Sequence, residues 1–306
     1  MATTSNLMLR CERSEPRSIG LLLILAFALA ACGTASTLPS HAEIAALEQS
    51  APTLAPARNA RYLGNAGVMV TDGDTKLLFD PLFDENYQQY QLVPDDIRAA
   101  MMAGTAPFDG VDVLFISHAH GDHFSAAPVL AYLQAHPQVK LVAPVQAVEK
   151  LEAAGLSDTA NIIAFDQSPN DASLTLQAGA ITVEAITIPH SGGARFAHIR
   201  NTVYRVHVAD DLRVLHLGDA TTETAPIASQ QQFWDAAENN LVFTPYWLFK
   251  NDQRRAALDL HIRPRSAIGV HVPTDLATLK ERYGTALDDV DLFTKPGEVR
   301  DLAVVE

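Results

Sequence analysis

The sequence predicts an α/β (α+β) domain in which strands and helices pack in layers. Its 306 residues, of which 48% are hydrophobic, are enough to build a full core. Strand-like apolar patterns recur along the chain, one of them followed by a helix pattern, and four strand patterns lead into a histidine or an aspartate. Because strand ends of layered α/β proteins gather around a common site, we expect these polar residues to meet.

The N-terminal residues predict an export signal rather than a part of the fold. Three arginines precede an apolar stretch over residues 19–31, which is too short to cross a hydrocarbon core about 30 Å thick as a helix. The motif Leu29-Ala30-Ala31-Cys32-Gly33 resembles the lipobox of bacterial lipoproteins, in which the cysteine is lipidated. We therefore expect a signal peptide over residues 1–31 and export to the periplasmic face of a membrane, with an anchor on Cys32. An ordinary cleavable signal is the alternative.

The rest of the chain divides into a tether and one domain. Residues 32–59 are rich in Ala, Ser, Thr and Pro, a composition that buries little surface. The pattern over residues 60–306 stays globular, which predicts a single domain. Two cysteines exclude a disulfide scaffold and a four-cysteine zinc site. The net charge of -14 argues against nucleic acid as a partner, since binding it needs a basic surface.

The first half of the domain carries a hairpin, a buried strand and a helix. Apolar runs at Ala66–Val70 and Lys76–Phe79 flank an Asp-Gly pair, which is typical of a hairpin turn. Val111–Ser117 is apolar apart from Asp112 and its last residue, and we interpret it as a strand buried on both faces. A helix is predicted from Ser125 through Gln134.

The second half of the domain carries four more strand patterns. Ile181–Ile188 leads to His190, Leu212–Leu217 leads to Asp219, and Ala267–Val270 leads to His271, while Thr202–Val208 lies between the first two. His216 falls on the strand face opposite Asp219, so we expect it in the core rather than in a site.

The chemistry is concentrated in His118-Ala119-His120-Gly121-Asp122-His123, between the buried strand and the helix. Imidazole and carboxylate are ligands that divalent ions such as zinc prefer. His118 and His120 can point to one side as a pair, while Asp122 and His123 turn toward an adjacent position. Gly121 is expected to let the loop turn tightly. The cluster therefore predicts a metal site.

This cluster resembles the H-x-H-x-D-H signature of the metallo-β-lactamase superfamily, and the later ligands follow in that family's order. The resemblance implies a four-layer αβ/βα sandwich with two divalent ions at one edge of the sheets. It implies that one ion is held by His118, His120 and His190, that the second is held by Asp122, His123 and His271, and that Asp219 bridges both.

The resemblance also implies roles for neighbouring residues. Asp80 would lie beneath the metal loop and orient a ligand histidine. Asp122 and Asp219 would fix and orient a hydroxide formed at the ions, which predicts hydrolysis. His198 could reach the cleft as a general acid. Zinc is the expected metal, and ligation by nitrogen and oxygen alone also suits manganese or iron.

Three functions remain open at this point. The first is hydrolysis of a small ester, lactone or phosphoester, in a branch similar to L-ascorbate-6-phosphate lactonase and N-acyl-phosphatidylethanolamine phospholipase D. The second is a membrane-anchored phospholipase-type phosphodiesterase, which predicts an apolar groove from Phe196, Tyr246, Trp247 and Phe249. The third is a metal-binding lipoprotein without catalysis. Classical β-lactamase activity is a weaker fourth.

Overall fold

The computed structural model describes residues 58–302 of the chain. The predicted signal peptide and Cys32 lie outside the described residues. The first strand begins at Arg58, so the domain starts inside the range predicted for the tether. Among the described residues, no helix combines the length and the apolar character that a membrane crossing requires.

The described strands form two sheets, one of seven strands in the order β13-β1-β2-β3-β4-β5-β6 and one of six in the order β12-β11-β10-β9-β8-β7. The strands are β1 Arg58–Gly64, β2 Gly67–Asp72, β3 Thr75–Phe79, β4 Val113–Phe115, β5 Lys140–Pro144, β6 Ile162–Phe165, β7 Leu174–Ala178, β8 Ile181–Thr187, β9 Thr202–Ala209, β10 Leu212–His216, β11 Leu241–Pro245, β12 Ser266–Val270 and β13 Val299–Asp301.

The helices lie between the strands. The α-helices are α1 Asp95–Ala103, α2 Ala126–Ala135, α3 Val145–Ala153, α4 Thr224–Ala228, α5 Gln231–Ala236, α6 Asp252–Ala257 and α7 Leu276–Tyr283. Short 3₁₀ helices cover Gly193–Phe196, Tyr246–Phe249 and Gly284–Leu287, and a π-helical turn covers Leu258–Ile262.

Three cores separate four layers, which confirms the predicted αβ/βα sandwich. The alternation of β3 shows why: Leu77 and Phe79 pack between the two sheets, whereas Leu78 packs against the helices outside the first sheet. Helices α1 to α3 cover that outer face, and Trp234 and Leu248 belong to the core that covers the second sheet. Both sheets are therefore buried on their two faces.

Strand direction brings the predicted site residues to one edge. Strands β10, β11 and β12 run parallel, and β9 lies antiparallel between β8 and β10, so the C-terminal ends of β8, β10 and β12 share an edge. Thr202 N donates to the carbonyl of Ser117 (2.8 Å), which links that edge to the loop after β4. Strand β4 is shorter than the predicted 111–117. Beyond its C-terminal end, Ser117 N donates to the carboxylate of Asp80 (2.7 Å) instead of to a neighbouring strand.

Candidate metal centre

The loop after β4 forms one tight turn that aims its polar side chains inward. The amide nitrogens of His123 and Phe124 both donate to the carbonyl of His120, at 3.1 and 2.9 Å. The predicted tight turn is present at Gly121, and it does not require a positive φ at this residue. A Cβ there would lie 2.8 Å from Cγ of Glu85, so the glycine is needed for the close approach of a neighbouring loop.

The structure brings together all seven residues expected to hold metal. Their side-chain donors form three overlapping groups, each within 4.8 Å: His118, His120 and His190; His118, His123 and Asp219; and Asp122, His123 and His271. The first and third of these groups are the two sets that the resemblance implied. Six of the seven residues are buried, and His120 is the partly exposed one.

Asp219 lies between the two sets. Its Oδ2 is 3.3 Å from Nε2 of His190, while its Oδ1 is 3.2 Å from Nε2 of His123 and 3.4 Å from Nε2 of His271. On the far side, Oδ2 of Asp122 is 3.2 Å from Nε2 of His271. A carboxylate with one oxygen toward each set has the arrangement of a bridging ligand.

The inward-facing atoms fit divalent ions. Nε2 of His123, His190 and His271 and Oδ1 of Asp219 are buried without a hydrogen-bond partner, which is costly unless something else binds them. Their separations of 3.2–3.4 Å match the distance of about 3.3 Å expected between ligand atoms of a tetrahedral ion with bonds of about 2.0–2.1 Å. The donor set, nitrogen and oxygen only, suits zinc, manganese and iron.

Asp80 fixes the direction of one candidate ligand, as predicted. Its Oδ2 lies 2.8 Å from Nδ1 of His123 and accepts a hydrogen bond from Oγ of Ser117 (2.6 Å). Oγ of Ser117 is in turn 3.0 Å from Nδ1 of His118. These contacts leave Nε2 of both histidines facing the centre, where Nε2 of His118 lies 3.1 Å from Nδ1 of His120.

Replacing Asp80 by asparagine is expected to lower metal affinity or activity about 10–100-fold, because His123 loses the acceptor that sets its ring orientation. The measurement is metal content and hydrolysis rate after dialysis against a weak chelator. Asp84→Asn, on the exposed side of the same loop, is the matched control. Equal metal retention by the two variants would contradict the orienting role.

Burial and neighbouring charges set the protonation of the site. Burial, helped by the charge on His123, holds the pKa of His118 well below its ordinary value, and burial with the nearby His190 lowers the pKa of His120 to about 4. Although burial raises it, the imidazoles of His271 and His123 hold the pKa of Asp219 well below its usual range. Although burial lowers them, the carboxylates of Asp219 and Asp122 raise the pKa values of His123 and His271, so a metal ion bound there would displace protons from these two imidazoles.

Two asparagines that sequence reasoning missed position the candidate ligands. Asn65 donates through Nδ2 to the carbonyl of Asp122 (2.8 Å), and its own carbonyl accepts from the amide of His271 (2.8 Å). Oδ1 of Asn201 accepts from the amide of Asp219 (2.8 Å). Asn65 adopts a positive φ (46°), and the Gly64-Asn65 pair is the sequence signal for such a turn. Asn201 carries no comparable signal.

Aromatic rings surround the centre. The ring of Tyr90 lies 4.1 Å from that of His271, and the ring of Trp247 lies 4.9 Å from it on another side. Phe196 packs 5.1 Å from His120 and 4.9 Å from His190. These rings hold the ligand imidazoles in place.

His198 is not placed with the other candidate residues. Its side chain is exposed, and its carbonyl accepts from Nε2 of Gln146 (2.8 Å). Within residues 58–302, no hydrogen bond or ring contact joins the His198 side chain to the seven-residue cluster. The general-acid role stays a prediction. His216, by contrast, is buried and bonds to the carbonyl of Ala66 (2.9 Å), which confirms it as a core residue.

Comparison with known proteins identifies the family. A family model described as a beta-lactamase superfamily domain matches residues 59–245, more than half of the chain. The chain belongs to the metallo-β-lactamase superfamily. The matched region of this metallo-β-lactamase domain holds the loop over residues 118–123, His190 and Asp219, and it ends before His271. The prediction of the superfamily from the histidine signature is confirmed.

Named relatives of this metallo-β-lactamase chain are metal-dependent hydrolases. A UPF0173 metal-dependent hydrolase of Thermus thermophilus is 34% identical over 71 residues, which are 23% of this chain and 26% of the relative. The match thus spans about a quarter of that protein's length.

Two solved structures share the fold. Igni18, a novel metallo hydrolase from Ignicoccus hospitalis, superposes with a TM-score of 0.54 and 16% identity over 81% of this chain and 99% of its own. CmlA, a diiron β-hydroxylase from Streptomyces venezuelae, superposes with a TM-score of 0.51 and 16% identity over 81% of this chain and 54% of its own.

Proposed function

We propose that the protein is a metal-dependent hydrolase that holds two divalent ions in this centre and cleaves a small ester, lactone or phosphoester. The observation that carries the proposal is Asp219, which presents Oδ2 to one ligand set and Oδ1 to the other. Zinc is our first choice because imidazole and carboxylate are among its usual ligands. Manganese and iron are the alternatives, and CmlA, which shares the fold, is named as a diiron enzyme.

Two ions bound here would supply hydroxide near neutral pH and polarise the scissile bond. The chain's own residues hold the ligands in fixed directions: Asp80 orients His123, and Asn65 links Asp122 to His271. The ring of Tyr90 packs edge-on against that of His271 and holds it in place. The buried carboxylates of Asp122 and Asp219 place negative charge where the two cations would bind.

The reacting group is expected to approach over His120, the partly exposed member of the cluster. The ring of Phe196 packs against His120, and the guanidinium of Arg195 lies 4.9 Å above that ring. A substrate that reaches the centre therefore passes an aromatic face with a cation above it.

The phospholipase-type alternative has weaker support. Of the four aromatic residues expected to line an apolar groove, Tyr246 and Phe249 are buried in the core outside the second sheet. Phe196 and Trp247 remain partly exposed beside the centre. This placement favours a small substrate over a long lipid chain, and the lactonase-like branch is proposed on the same ground.

A hydrolysis screen tests the proposed function. The full-length protein, reconstituted with Zn²⁺, Mn²⁺ or Fe²⁺, is assayed on lactones, thioesters, phosphodiesters and phospholipids, and its metal content is measured. We expect about two ions per chain and hydrolysis of one small-substrate class that chelation abolishes and metal restores. Two bound ions without hydrolysis of any class would support a non-catalytic metal-binding role, while hydrolysis of phospholipid alone would favour the second candidate.

We also propose that the protein is exported and anchored to the membrane through Cys32, because the segment before it has the pattern of a lipoprotein signal. Cys32→Ser is expected to move the protein from the membrane fraction to the soluble periplasmic fraction. Cys11→Ser, within the predicted signal peptide, is the matched control and should leave the protein in the membrane. A membrane-bound Cys32→Ser variant would contradict the proposal.

A further inference from the structure

A cavity of about 350 Å³ lies beside the metal centre, between the loop that precedes α1 and helix α7. Gln88, Gln89, Tyr246 and Pro273 form part of its wall, and Arg282 lies on the helical side. None of the seven candidate metal ligands lines this cavity. The cavity therefore lies next to the metal centre rather than within it.

The cavity is one residue layer from the metal centre. Pro273 follows His271 by two positions and pairs through its backbone with Tyr90, whose ring lies 4.1 Å from that of His271. The amide of Thr274 donates to the carbonyl of Gln89 (2.8 Å), and both residues line the cavity on this side. A molecule held at the metals could extend past Tyr90 into the cavity.

Two cations converge on the cavity. Nζ of Lys250 lies 4.5 Å from the ring centroids of both Tyr246 and Tyr283, which line the cavity. Arg282 itself lines the cavity beside Tyr283. Although burial raises it, the neighbouring ammonium of Lys250 and guanidinium of Arg282 bring the pKa of Tyr283 below its ordinary value.

Neither of these cations is neutralised by a carboxylate of the described residues. Arg255, by contrast, forms an ion pair with Asp259. In the described part of the chain, neither Lys250 nor Arg282 takes part in an ion pair. The carboxylate of Asp275, which also lines the cavity, accepts the amide of Thr278 (3.0 Å) as a helix cap. In a chain of net charge -14, two cations at one cavity that no carboxylate of residues 58–302 neutralises indicate an anionic ligand.

The loop on the other side of the cavity is strained. Tyr87 and Gln88 both adopt positive φ, 48° and 56°, a region that side chains other than glycine rarely occupy. Gln88 lines the cavity. Strain of this kind persists where a binding site needs the backbone in one position.

We propose that this cavity binds an anionic group of the substrate, a carboxylate or a phosphate, through Arg282 and Lys250. The guanidinium can bond both oxygens of such a group, and the ammonium adds a point charge. The inference rests on the proposed hydrolase function, since the anion would belong to the part of the substrate that is not cleaved.

Matched esters test the inference in the metal-reconstituted protein. The neutral ester is 4-nitrophenyl acetate, and the charged esters are the 4-nitrophenyl monoesters of succinate and of phosphonoacetate, which separate a carboxylate from a phosphonate. In Arg282→Gln and Lys250→Met we expect the ratio of kcat/KM for a charged ester to that for the neutral ester to fall about tenfold or more, through KM. Lys280→Gln removes the same charge from the same helix and should leave the ratio unchanged.

Direct binding gives a second measurement that does not depend on catalysis. Succinate and inorganic phosphate are titrated calorimetrically into protein stripped of metal, and we expect affinity for one of them to fall about tenfold in Arg282→Gln but not in Lys280→Gln. If none of these esters is hydrolysed, this titration alone decides the inference, and the substrate screen described above decides the proposed function. Equal anion affinity in wild-type, Arg282→Gln and Lys280→Gln proteins would overturn the anion site and leave the hydrolase proposal standing.

Discussion

Asp219→Asn is expected to lower hydrolysis by more than about a hundredfold, beyond the range typical of a residue that only orients a ligand. The amide keeps the shape of the side chain but loses the charge that faces His190 on one side and His123 and His271 on the other. Both ligand sets therefore lose their shared anion. Elemental analysis should show fewer than two ions per chain, and steady-state kinetics should show the loss in kcat/KM.

The matched control for Asp219→Asn is Asp259→Asn, an exposed carboxylate paired with Arg255 four residues away in the chain. Its activity and metal content should equal those of the wild-type protein, because exposed pairs contribute little. Retention of two ions and of activity within tenfold by Asp219→Asn would show that the carboxylate does not bridge the two sets.

Gly218→Ala is expected to destabilise the domain by about 3 kcal/mol. The residue has φ of 53°, and a Cβ would lie 2.3 Å from Oδ1 of Asn201 and 2.8 Å from Cβ of Ser117. Asn201 is the acceptor for the amide of Asp219, so the clash also displaces a candidate ligand. Thermal unfolding should show a lower Tm, and metal content should fall with it.

Gly179→Ala separates the steric clash from the backbone conformation. Gly179 has φ of 67°, and a Cβ there meets nothing within 4 Å. Gly179→Ala should lower the free energy of unfolding by only about 1 kcal/mol, which is the penalty of a left-handed backbone conformation for a residue with a side chain. Equal destabilisation by the two variants would remove the packing role assigned to the glycine before Asp219.

The sequence predicted the ligand cluster well because its chemistry is local. Residues 118–123 hold four donors in six positions, so no knowledge of tertiary contacts was needed to see a metal site. His190, Asp219 and His271 were reachable through a weaker rule, that strand ends meet at one edge, and through the family signature. The described fold places all three there.

The supporting residues were harder to predict because their roles exist only in the folded chain. Asn201 touches Asp219 across 18 residues, and Asn65 touches Asp122 across 57, with no periodic pattern to mark them. The edge strand β13 pairs with β1, which lies at the other end of the domain's sequence, and Asp301 is opposite Asn59 in this pair. The direction of His198 depended on a glycine-rich loop whose course the sequence does not specify, since Gly192 and Gly193 both adopt positive φ.

The two sheets share the candidate ligands unequally. The loop after β4, in the first sheet, supplies four of them, and the ends of β8, β10 and β12, in the second sheet, supply His190, Asp219 and His271. Cations bound between these residues would therefore connect the two sheets. The free energy of metal binding would then be linked thermodynamically to the packing of one sheet on the other. Resistance of this protein to unfolding would then follow the supply of free metal around it.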